Sequence, residues 1–270
     1  MRQSRSQIRR LIHSTPKYLL AVLAITLIYI WTRSSTLIKK SKDPYPSISR
    51  SLVIASTTSS NLTWLDTSLK ASPWKPYIYT TDATHTSPPT LPGALSVPAN
   101  KGNEAMVYLT WIIDNYAHLP DVVFFHHHHH QAWHQQFTSS FELEHLNVLN
   151  VQKHGYLSPR CLPGCENVIK LTGDVAPLED LRTTGRDVQI ASVLHAFWRD
   201  GDGGRRELPT EIAAPCCAQF AVSKDRILGV EEGTWRALRE WLVETEMDSA
   251  SAGRVMEYTW HLWFGMEPVL

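Results

Sequence analysis

Five consecutive histidines, His126 to His130, are followed closely by Trp133 and His134. Imidazole changes charge near neutral pH and is a common transition-metal ligand. The run begins directly after Val122-Val123-Phe124-Phe125, four apolar residues that read as a strand buried on both faces. Strand ends in α/β sheets face the ligand crevice. If the strand continues, alternation puts His126, His128 and His130 on one face. His126, His128 and His134 are therefore the candidate catalytic residues, with His126 and His128 as the candidate metal pair. The ordinary alternative is that one or two of these histidines bond within the core and the rest are solvated.

Two further clusters could do chemistry. Lys101-Gly102-Asn103-Glu104 opens the clearest helix, where free backbone N–H groups and Lys101 could hold a phosphate. Simple capping by Asn103 with an acidic first turn explains it equally well. Asp200-Gly201-Asp202 has the spacing of a carboxylate pair that shares a hard cation, but it follows a helix in a Gly-rich stretch and reads better as a solvated turn. The chain has no G-x-S-x-G, no Walker loop and no dinucleotide-binding glycine pattern.

Four cysteines, Cys161, Cys165, Cys216 and Cys217, are all disulfide candidates. Three pairings are possible and the sequence does not choose among them. Buried free thiols are the alternative. Asn61-Leu62-Thr63 is an N-glycosylation sequon.

The elements around these residues follow a strand–helix rhythm. Apolar runs at Leu52–Ala55 and Pro76–Thr80 read as strands, and residues 82–100, with four prolines, read as irregular. Met106, Leu109, Ile112, Ile113 and Tyr116 recur at helical spacing up to Pro120. A short helix followed by a strand is expected over 142–151, a helix over 188–198 and a last long helix around Trp235–Leu242, with a late strand at Gln219–Val222. These elements predict one α/β domain over residues 51–270, a mixed sheet layered by helices.

Ahead of that domain, residues 18–32 form an uncharged apolar run, short for a bilayer crossing but flanked by basic residues that can snorkel. It predicts a single transmembrane signal anchor, with a cytosolic tail at 1–17 and a stalk at 33–50. A cleaved signal peptide lacks its small-residue cleavage pattern, and a transit peptide would be amphipathic. Residues 1–42 carry nine basic residues and no acid, which leaves the remainder at a net charge of −9. An acidic body argues against nucleic acid as a partner.

Several stretches together carry a resemblance. They are Leu52–Ala55, Asn100–Ala105, Leu119–Asp121 into Phe124–His128, Ala132–His134, Ala214–Ser223 and Glu257–Gly265. The combination resembles the fungal domain-of-unknown-function 3431 family, whose members look like type II membrane proteins and whose pattern is similar to the GT-A nucleotide-sugar transferase fold. In that fold the first strand opens the nucleotide site, a later strand ends in the metal motif, and a late strand borders the acceptor. Here His126-x-His128 stands where Asp-x-Asp is expected. The resemblance implies a single-pass Golgi or ER enzyme acting with a nucleotide sugar on a small molecule or glycan, its domain lumenal. Asp82, Lys101, Asn103 and Glu104 would meet the nucleotide, with manganese or magnesium as the cofactor. The alternatives are a membrane-anchored tailoring enzyme of secondary metabolism, a histidine–metal oxidase or cyclase, and a non-catalytic lumenal binding protein.

Overall fold

Strand β1, Arg50–Ser56, is buried at every position, as expected for a strand with neighbours on both edges and helices on both faces. In the computed structural model it lies between β2, Lys75–Thr84, and β4, Val122–His127, and is parallel to both. Strand β3, Leu95–Val97, pairs parallel to β2. On the other side β8, Phe220–Ser223, runs antiparallel to β4, and β5, Tyr156–Leu157, antiparallel to β8. The order is β3-β2-β1-β4-β8-β5, a six-stranded mixed sheet. A small second sheet pairs β6, Ile169–Lys170, with β7, Glu211–Ile212.

Eight helices cover this sheet among the described residues: α1 Thr63–Leu69, α2 Glu104–Asn115, α3 Ser139–His145, α4 Val148–His154, α5 Arg186–Phe197, α6 Lys224–Leu228, α7 Glu232–Glu244 and α8 Ser249–Trp263. Helix α2 is buried continuously from Ala105 to Ile113, because β1 lies on one side of it and α7 and α8 on the other. Alternation along β1 and β4 sends Val53, Ala55, Val123 and Phe125 to that side, where they join the main core. Its centre is aromatic: the Tyr108 ring lies 4.7 Å from Phe125 and 5.8 Å from Trp260. The opposite face presents Phe124 and His126, 4.9 Å apart, to Trp74 and Trp64. Gly253 lets α8 approach the start of α2, since an added Cβ would meet the Gly102 carbonyl oxygen at 2.8 Å.

The structure describes residues 25–26, 45, 47–70, 72–84, 93–133, 135–160, 168–201 and 203–270. The chain divides at Pro46 into two units, and the sheet and its helices belong to Ser47–Leu270. The expected span at 18–32 lies outside the described residues except for Ile25 and Thr26. No helix among the described residues is long and apolar enough to cross a membrane.

Three expectations need correction. The proline-rich stretch contains a strand, β3, because three residues are enough to add an edge to β2. The helix around Trp235 is not the last: α8 follows, and its burial on nearly every side from Val255 to Trp263 hides the one-sided stripe that periodicity looks for. Asn103 does not cap α2 through its side chain and instead sits at φ 51°, ψ −129°.

Candidate functional site

The winding runs from β1 out to β2 and β3, then returns to β4 on the far side of β1. Its direction therefore reverses between β1 and β4. At such a point the carboxyl ends of parallel strands open a crevice where ligands bind. Here the loop after β1 and the histidine run after β4 face each other across an open cleft of about 790 Å3. Ser59, Ser60 and Asn61 line one wall, and His128, His129 and His130 the other.

Both walls are fixed by hydrogen bonds. Asp82 accepts from the Thr58 backbone N–H at 2.8 Å and from its hydroxyl at 2.6 Å, tying the loop to β2. Burial alone would raise the Asp82 carboxyl, but the Thr58 bonds outweigh it and hold the group below its usual range. The Thr57 N–H donates to Ser60 Oγ at 2.8 Å, and Thr63 donates twice to Asn61 Oδ1. On the other wall three successive carbonyls are held. Trp64 Nε1 donates to His128 O at 2.8 Å, Ser139 Oγ to His129 O at 2.6 Å, and the Ser139 N–H to His130 O at 2.8 Å. The backbone that carries the three imidazoles is therefore pinned at each residue. Burial, helped by His129, keeps the His128 imidazole below its ordinary value.

His126 has different surroundings. It is 1% exposed. Its Nδ1 lies 2.7 Å from His127 O and its Nε2 lies 3.2 Å from Glu142 Oε2. Glu142, on α3, also receives both terminal nitrogens of Arg160, which in turn donates to Gln219. Burial raises the Glu142 carboxyl, but the bonds from His126 and Arg160 prevail and keep it low. The sequence expectation that His126 and His128 act as one ligand pair meets this geometry: one ring closes a buried network and the other faces the cleft. Among the described residues no group of three or more His, Cys, Asp or Glu is placed to hold a metal ion. The cleft's lining offers imidazoles, hydroxyls and two amides, Asn61 and Gln131, without a carboxylate. That donor set does not fit manganese or magnesium, which favour carboxylate oxygens.

A family model described as Protein of unknown function (DUF3431) matches residues 52–270. The chain belongs to this family. No curated protein and no solved structure matches it.

The matched region of this DUF3431 member holds the whole sheet from Leu52 onward and both walls of the cleft. Of the other expected site residues, Lys101 is turned away, its Nζ donating to Thr245 O at 2.7 Å. Asn103 and Glu104 open α2 behind the sheet, and neither is among the residues lining the cleft. His134, Asp202, Cys161 and Cys165 lie outside the described residues. Asp200 accepts from the Gly204 N–H in a turn at the opposite edge of the DUF3431 sheet, beside a second cavity of about 330 Å3, as a solvated turn would. Cys216 and Cys217 are joined to each other. Sequence reasoning missed Glu142 and Arg160, because charged residues in separate elements carry no mark of their partners. Arg160 carried a weak signal, standing at the edge of a stretch rich in Pro and Cys.

Proposed function

We propose that this chain is a membrane-anchored transferase of the secretory pathway that takes a nucleotide sugar, with the donor's diphosphate held between residues 57–61 and His128–His130. The observation that carries this reading is the pinned histidine segment at the β1/β4 reversal, three side chains aimed into a cleft and facing a loop of hydroxyls. The layout agrees with the GT-A resemblance: β1 opens the cleft, β4 ends in it, and β8 lies beside β4. Hydroxyls and imidazole N–H groups at fixed positions can receive the charge that grows on a departing diphosphate without reorganising. Imidazoles take the place of the expected carboxylate pair, so diphosphate binding is expected to survive chelation of divalent cations.

The test uses the full chain in detergent, titrated with uridine and guanosine diphosphate sugars by calorimetry, with and without a chelator. Binding that persists with chelator and falls at least about tenfold when His128, His129 and His130 are replaced together by Ala supports the reading. If no nucleotide diphosphate binds the wild-type chain, the reading is wrong.

A further inference from the structure

Cys216 and Cys217 form a disulfide between neighbours in the chain. The stabilisation a disulfide gives by constraining the unfolded chain grows with the loop it closes. A bond between adjacent residues encloses no loop, so it braces nothing distant. Its place in the fold is specific, however. The turn it occupies precedes β8 at the carboxyl edge of β4, and Gln219 in the same turn contacts His126 at 3.2 Å. Cys217 is at φ 81° and Ala218 at φ 45°. With Asn103 these are the only non-glycine residues at positive φ among the described residues. Side chains at such angles cost on the order of 1–3 kcal/mol each, and such residues cluster where function over-determines the backbone.

Two of the three adjoin a carboxyl: Cys217 is bonded to Glu257, and Asn103 directly precedes Glu104. Glu257 on α8 accepts from the Cys217 N–H at 2.8 Å. Gly253, one turn before Glu257 on α8, packs against Gly102 and Asn103, which brings the start of α2 and Glu104 alongside Glu257. Burial first, with the Glu257 charge adding to it, pushes Glu104 up to about 7, although a backbone hydrogen bond opposes them. One turn along α2, the Tyr108 hydroxyl is fully buried and has no partner among the described residues. Cys217 and Glu257 are both half-buried, so solvent reaches them.

We propose that Cys216–Cys217 is a thiol–disulfide exchange centre for a small thiol, with the Glu104–Glu257 carboxyl pair as its proton source. A thiolate attacks Sγ of Cys217, the less buried of the two residues. The Cys216–Cys217 bond breaks, and its electron pair leaves on Cys216 Sγ, which takes a proton from the carboxyl pair. A second thiolate attacks the mixed disulfide at the small-thiol sulfur and releases the oxidised small thiol. Cys217 leaves as thiolate and is protonated in turn. Two thiols are consumed, one small-molecule disulfide forms, and the two protons the thiols lose end on the two cysteines. Reduction also frees Cys217 and Ala218 to leave the left-handed region, which releases Gln219 from His126. The centre therefore reports its redox state to the buried network behind the histidine cleft.

The experiment uses the full chain in detergent, with or without glutathione, alkylated under native conditions and digested with trypsin. Peptide 207–224 carries only Cys216 and Cys217, and peptide 161–170 carries only the other two cysteines, so the pairs are read separately. Peptide 207–224 should be two hydrogens lighter and unlabelled before reduction, and doubly alkylated after glutathione, with the melting transition still cooperative. Glu104→Gln and Glu257→Gln should slow reduction at pH 7 by at least about tenfold with the oxidised disulfide intact. Should either variant fail to fold, the other and the conservative Glu104→Asp, which should be reduced faster than Glu104→Gln, carry the test. Labelling of both cysteines before reduction, a disulfide that glutathione leaves intact until the protein is denatured, or wild-type reduction rates in folded carboxyl variants would each overturn the proposal.

Discussion

Glu142 grips Arg160 with both carboxylate oxygens and offers one of them to His126, all within the interior. The three come from α3, from the segment after β5, and from the end of β4, so the contact locks three separately built parts of the chain at the edge where the cleft opens. Removing one partner of a buried ion pair leaves the other charged and desolvated. Glu142→Ala should cost about 3–5 kcal/mol, measured by urea unfolding. A cost within error of zero would show that the pair is solvated.

The same network separates two histidines that the sequence treats as equivalent. His126→Ala should destabilise by about 1–3 kcal/mol, because Glu142 and Gln219 lose a partner. His128→Ala should leave the melting temperature unchanged and weaken ligand binding. Equal effects of the two substitutions on stability would count against the division.

Acid sensitivity should come in two stages. His261 is fully buried, donates through Nε2 to Pro268 O at 3.0 Å, and is lowered by burial from 6.5 to about 4, although the Pro268 bond opposes this. Its folded value lies below its unfolded one, so its contribution is complete above pH 6.5 and is lost as pH falls toward 4. The loss reaches about 3 kcal/mol. Glu142, also lowered, contributes above its ordinary 4.5 and is lost below that. Melting temperatures followed from pH 7.5 to 3.5 should fall in the first window for wild type and stay flatter there for His261→Asn, which cannot take up the proton.

Asn61 brings glycosylation and ligand binding into competition. It lines the cleft, and its side chain is exposed. A glycan there would stand in the mouth of the cleft. Chain from a glycosylating host should bind nucleotide diphosphates more weakly than the same chain after enzymatic deglycosylation. Unchanged affinity would place the glycan clear of the ligand.

Close approach of α8 to α2 sets a further limit. Gly253→Ala should cost about 1–3 kcal/mol, because its Cβ would lie 2.8 Å from a backbone oxygen that cannot give way as a side chain can. A variant as stable as wild type would show that the helices separate freely.

Much of the fold could be read from the order of apolar runs. Val122–Phe125 announces a buried strand, and the spacing from Met106 to Tyr116 announces α2. The site was half visible. A histidine run at a strand end points to the crevice, yet nothing in its spacing says that His126 turns inward to Glu142 while His128–His130 face the loop. Lys101 illustrates the same limit. Beside a helix start it looks ready for phosphate, but Thr245, far along the chain, offers a carbonyl that engages it. Partners from distant elements decide these cases, and a single sequence lists residues without saying which ones meet.

Strand β4 also has a consequence for how the chain is made. Its two neighbours come from opposite ends of the domain, β1 from the beginning and β8 from close to the end. During synthesis β1, β2 and β4 can associate early, but one edge of β4 stays open until the segment around Phe220 has emerged. Pairings between distant segments are slow to form because the intervening chain must first be ordered. A late truncation before β8 would therefore leave one edge of the apolar strand Val122–Phe125 unpaired, and such a fragment is expected to aggregate instead of folding as a smaller domain.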